Sequence, residues 1–239
     1  MFAAQPIAPE EGKMSLKNRI LLALTSCALL GGAGCTQDFD QLDFVHDEGQ
    51  PWCDELPAGT GATDCALLLG EDHLLFFDYA PAARGMRLTI NLNTLEGQEV
   101  QSFGPIAIEG TMASPALRDI NRDDRDELFI PLISANANSL WSVWQQDDDG
   151  LFHRAGELSG PAVERFELRG GMVITRSRGD AATSYETASR LTADGLGTVY
   201  EILLDHEAHD CRLLDQSGLA GMRLTAEAVV AACEARDWE

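Results

Sequence analysis

The chain has 239 residues, a formal charge of −22, 45% apolar side chains and 23% charged ones. That length and apolar content suit one sizeable domain with a buried core and exclude global disorder. Lys13, Lys17 and Arg19 all precede position 35 and no lysine follows Lys17, so the negative charge falls on the rest of the chain. Such a surface repels phosphate backbones, which argues against nucleic-acid binding, and it attracts cationic proteins and divalent metals.

From Met14 the sequence reads MSLKNRILLALTSCALLGGAGCTQDFD. Lys17 and Arg19 form a basic start, and Ile20 to Ala33 form an apolar run too short to span a bilayer but suited to a signal-peptide core. The run ends in GAGC, which resembles the lipobox of bacterial lipoproteins, with Cys35 as the acylated thiol and Gly32 departing from the usual Leu, Ile or Val. LTSC, ending at Cys27, fits the box better but leaves only Ile20 to Leu24 as its apolar core. Residues 1–34 are therefore read as a signal peptide whose true start is Met14, 35–52 as a lipid-anchored acidic tether, and 53–239 as a β-rich calcium-binding domain. An ordinary secreted protein and an uncut membrane anchor are the alternatives. The lipoprotein resemblance implies a bacterial cell-envelope address with the membrane engaged through the lipid alone. Thr36 after the cysteine favours the outer membrane.

Four cysteines remain beyond the leader, an even number suited to an oxidising compartment: Cys53, Cys65, Cys211 and Cys233. Three pairings are open. The local one, Cys53–Cys65 with Cys211–Cys233, is preferred, each bridge being worth roughly 3 kcal/mol by loop entropy. The absence of any CxxC pair speaks against zinc.

After the tether come short runs broken by Gly, Pro or Asn: CALLLG, HLLFFDYA, MRLTINL and EVQSF. Gly170-Gly171 between RFELR and MVITRSR signals a two-residue hairpin, and a further pair follows, TSYETASRL and LGTVYEILL around the turn ADG. Strands at this spacing without intervening helices predict an all-β body of antiparallel hairpins. Near the end, Ala226, Val229, Val230 and Cys233 share one helical face, with Thr225 placed to cap the helix.

The strongest chemical signal is DINRDDRDEL, residues 119–128. Calcium takes oxygen ligands from alternate residues of a curling loop, here Asp119, Asn121, Asp123, the Arg125 carbonyl and Glu127. An EF-hand is excluded because its last acidic position is Ile130 and Pro131 opposes a following helix. The stretch resembles instead the calcium loops of FG-GAP-type β-propeller repeats, in which such a loop runs straight into a strand; FGPIAI upstream weakly echoes the FG. Asp124 departs from that pattern, standing where Gly is usual at a position that often needs positive φ. The resemblance implies a small or incomplete β-propeller-like assembly with one C-terminal helix, stabilised by calcium. A solvated acidic turn is the simpler alternative. The second acidic tract, QQDDDGLF, reads as a plain turn.

Nothing in the sequence marks catalysis. His206 and His209 in DHEAHDC lie three apart, not the four of a zincin, and read as part of a polar loop beside a cysteine. His46, His73 and His153 lack any motif, and neither a nucleophile elbow nor a phosphate loop occurs. Trp141 and Trp144 should face opposite sides of a strand. The chain is therefore read as a non-enzymatic envelope lipoprotein that binds proteins. Small single-loop relatives of the FG-GAP type imply docking on another protein, including inhibition of, or immunity to, a cationic murein hydrolase. A structural or assembly lipoprotein and a hydrolase are the alternatives.

Overall fold

The computed structural model describes residues 50–239 apart from 58, 111, 112, 135–137, 221, 237 and 239. The leader, Cys27, Cys35 and His46 lie outside the described residues. The described chain forms three antiparallel sheets in sequence order, followed by one helix. The sheets close into no barrel, and the all-β class with a C-terminal helix is the one expected from the sequence. Among the described residues no helix is long and apolar enough to cross a membrane.

The first sheet is a meander of β1 (Cys65–Leu69), β2 (His73–Pro81), β3 (Met86–Thr94) and β4 (Glu99–Ile108). The second runs through β5 (Ala116–Arg118), β6 (Glu127–Ser134), β7 (Ser139–Gln146) and β8 (Phe152–Gly160). The third is β9 (Glu167–Arg169), β10 (Met172–Arg178), β11 (Thr183–Thr192), β12 (Gly195–Asp205) and β13 (Asp210–Asp215). In each sheet consecutive strands are neighbours, so β1, β5 and β9 are the leading edges. Gly170 and Gly171 make the β9–β10 turn at φ of 60° and 72°, the double positive φ of a tight hairpin. The FG of FGPIAI lies in β4 opposite a register shift in β3, where Gly104 takes φ 122° and an added Cβ would meet the Leu88 carbonyl oxygen at 2.7 Å.

The three meanders stack face to face. Leu75, Phe77, Leu88 and Ile90 of the first sheet share a core with Leu128, Ile130 and Phe152 of the second. On the second sheet's other face, Phe129, Trp141, Val143 and Leu158 pack with Val173 and Phe166. The continuous apolar run LFIP of β6 is buried throughout because its sheet is covered on both sides. Trp141 and Trp144 duly part company. Trp141 donates its indole N–H to the Pro161 carbonyl in one core, while Trp144 packs against Phe103 at 4.6 Å in the other.

The helix α1 (Ala226–Glu234) closes the stack. Its Val229 and Cys233 join Ile174, Ala188, Tyr200, Ile202 and Leu204 in the third core. The Thr225 side chain accepts from the Ala228 N–H at 3.2 Å, capping the first turn. Cys233 is bonded to Cys211 on β13, and Cys53 to Cys65 on β1. Nine helical residues are too few to be stable alone, so packing and the crosslink hold this helix in place.

Candidate functional site

The acidic loop joins β5 to β6 at one end of the middle sheet. Asp119 organises it: one carboxylate oxygen accepts from the Arg122 N–H at 2.6 Å and the other from the Asp124 N–H at 3.1 Å. Asn121 Oδ1 accepts from the Asp123 N–H at 2.9 Å, and Asp123 Oδ1 from the Arg125 N–H at 3.0 Å. Accepting side chains at 119, 121 and 123 thus curl the backbone through Arg122 and Asp124, both at positive φ of 65° and 64°. The position where the propeller pattern has Gly does take the left-handed conformation, and Asp supplies it at some cost.

Glu127 closes the loop from beneath. It is 2% exposed and accepts from the Ile120 N–H at 2.8 Å. Burial, and after it the charges of Asp123 and Asp119, push its carboxyl up to about 7 against the pull of that N–H. Burial also raises Asp126 above the ordinary carboxylate value, against a hydrogen bond from the Asp119 backbone and with a smaller upward push from the Asp119 charge. The five ligand positions read from the sequence therefore lie on one short curl. Among the described residues no three His, Cys, Asp or Glu side chains converge as a metal-ligating group. The expected donor set draws as well on the Asn121 amide oxygen and the Arg125 carbonyl.

Nothing in the sequence hints that the two acidic tracts meet. Arg125 donates from Nη1 to the Asp147 carbonyl at 2.7 Å and from Nη2 to Asp148 at 3.2 Å, strapping the β5–β6 loop to the β7–β8 turn. Gln146 adds a bond to the Asp126 carbonyl. The turn itself is local: Asp147 Oδ1 accepts from the Asp149 and Leu151 N–H groups.

A second feature lies where the leading edges β1 and β5 face each other. A groove of about 750 Å³ runs between them, floored by Leu56, Leu67, Leu117 and Trp141. Its charged lining consists of Asp54, Glu55 and Glu164, with no Lys, Arg or His among the described lining residues. The Cys53–Cys65 bridge fixes one wall, and residues 51–53 pair with Ala66 beside it. Arg118 donates to the Val163 carbonyl, tying β5 to the 3-10 turn that carries Glu164. Leu68 is 46% exposed on β1, a large apolar side chain offered to solvent at the rim of an acidic cleft. Sequence reading missed this groove because its walls come from five separated stretches of the chain.

The remaining histidines are engaged individually. His206 hydrogen-bonds Ser184 Oγ at 2.8 Å, and His209 stacks on Trp238 at 5.5 Å. The Asp205 side chain caps the turn that carries them. His153 pairs with Gln145, and His73 with Asp72.

No protein-family profile matches the chain. No curated relative matches it. Among solved structures, the crystal structure of PliI-Ah, a periplasmic inhibitor of I-type lysozyme from Aeromonas hydrophyla, is similar over 44% of this chain and 92% of its own, at 16% identity and a TM-score of 0.35. A likeness at that level defines no common fold.

Proposed function

We propose that this protein is a calcium-stabilised binding module of the bacterial envelope that captures a cationic protein in the groove between β1 and β5. The observation that carries this reading is the composition of the groove: an apolar floor with acids as the charged residues among its described lining, on a chain of charge −22. Apolar contact supplies affinity once water is expelled, and the acidic field raises the encounter rate with a basic partner. A basic murein hydrolase of the lysozyme type suits both terms. The role is inhibition or immunity, not turnover.

Calcium belongs to the same proposal. Asp119, Asn121, Asp123, the Arg125 carbonyl and Glu127 would hold it with hard oxygen donors, and the ion would supply positive charge to the buried Glu127, which forms no ion pair among the described residues. Lipid attachment at Cys35 would tether the module to the outer membrane. The test is a murein-lysis assay with a basic lysozyme-type hydrolase. Stoichiometric inhibition that weakens several-fold from low to physiological salt is expected; lysis unaffected by excess protein would refute the reading.

A further inference from the structure

A chain this acidic gathers three of its arginines around one cavity at the opposite end of the stack. The cavity, about 330 Å³, lies between the third sheet and the chain leaving α1, and Arg169, Arg176, Arg236, Ser184, His206 and Trp238 line it. A second cavity of about 290 Å³ adjoins it, shares Arg169 and Arg236, and reaches Glu186 and Tyr200.

The sheet explains the placement. Met172, Ile174 and Arg176 share one face of β10, and Arg176 pairs across to Glu186 while Ile174 pairs to Ala188. The helix covers the apolar half of that face; the polar half is left as the cavity floor. Glu186 is 1% exposed and receives both Arg176 Nε at 3.0 Å and Arg236 Nη1 at 3.1 Å on the same oxygen. Glu167 holds Arg176 Nη2 at 3.3 Å and Arg169 Nε at 3.6 Å. Among the described residues Arg176 Nη1 and Arg236 Nη2 make no hydrogen bond. Three guanidiniums against two carboxylates leave one positive charge at the cavity.

A clamp for the helix needs Arg236 alone, since Arg169 and Arg176 lie on strands and their side chains are 56% exposed. Carboxylates fix these guanidiniums from one side, so their remaining N–H donors are pre-organised at little entropic cost. The Trp238 ring, backed by His209 stacked at 5.5 Å with 11° between planes, adds a flat apolar wall.

We infer that this cavity is a binding site for a small ring-bearing oxyanion, its anionic group on Arg176 and Arg236 and its ring against Trp238. The volume suits one six-membered ring with its carboxylate. Titration calorimetry of the purified protein with glucuronate, inorganic phosphate and glucose tests it. Glucuronate should bind more tightly than phosphate, and glucose should give no heat. Arg176→Gln should weaken glucuronate at least ~10-fold, as expected when a charge-assisted hydrogen bond is removed, in a protein that melts somewhat earlier but still folds cooperatively because Arg236 remains paired with Glu186. Trp238→Ala should bring glucuronate down to the level of phosphate. No binding of either anion, or glucuronate binding unchanged in Arg176→Gln, overturns the site. Phosphate binding as tightly as glucuronate overturns the role of Trp238.

Discussion

Glu186 shows how one charged side chain can be buried in this molecule. Burial pushes its carboxyl up, but the hydrogen bonds and charges of Arg236 and Arg176 outweigh that, and its pKa lies below the ordinary value of 4.5. A carboxylate held lower in the folded than in the unfolded state stabilises fully above the unfolded value and loses that contribution as pH falls through the folded one. Acid titration followed by circular dichroism should therefore show stability falling below about pH 4.5. Glu186→Gln, which removes the charge, should flatten that slope and cost about 2 kcal/mol at neutral pH by leaving the part-buried Arg236 uncompensated. Asp124 makes the opposite case, a residue whose backbone conformation is itself unfavourable. At φ 64° its Cβ is strained, and Asp124→Gly should raise stability by about 0.5–1 kcal/mol in denaturant melts without disturbing the neighbouring hydrogen bonds, which use backbone N–H groups.

Among the elements, the loop from Asp119 to Glu127 is expected to respond to calcium and the helix to reduction. Calcium at a hundred times its Kd should stabilise the protein by about 2.7 kcal/mol, read as a rise in melting temperature that chelator reverses. Asp119→Ala should abolish the rise, and a melting temperature indifferent to calcium would leave the loop an acidic turn. Replacing both Cys211 and Cys233 by Ser should cost about 3 kcal/mol and release α1, since the helix is short and is held through its buried Val229 and Cys233. Elements of this size were legible in the sequence where the cause is local. Gly170-Gly171 dictates its hairpin through backbone freedom, Thr225 and the spacing from Ala226 to Cys233 dictate the helix, and DINRDDRDEL dictates a curl because its side chains bond its own backbone. The Arg125 strap to Asp147 and Asp148 was not legible, because 22 residues separate Arg125 from Asp147 and nothing in QQDDDGLF distinguishes a strapped turn from a free one.

At the scale of the whole molecule, the arrangement follows from which sheet faces are apolar. The middle sheet is buried on both faces, as the unbroken run at β6 requires, and the outer two close on it, one capped by α1. Stacking the meanders this way sets the leading edges β1 and β5 side by side and opens the acidic groove between them. Periodicity within any one strand says nothing of this; Leu68 reads as one more apolar residue in CALLLG, and only the neighbouring sheet shows that it stands at a rim. The most direct test of the groove as a binding surface is the affinity of the protein and of its Leu68→Arg variant for the same basic lysozyme-type hydrolase, measured side by side in calcium. Leu68 is exposed, so the variant should fold as the parent does. Removing an apolar anchor and setting a like charge against a cationic partner should together weaken binding about 30-fold or more. Equal affinities would show that the groove between β1 and β5 is not where the partner sits.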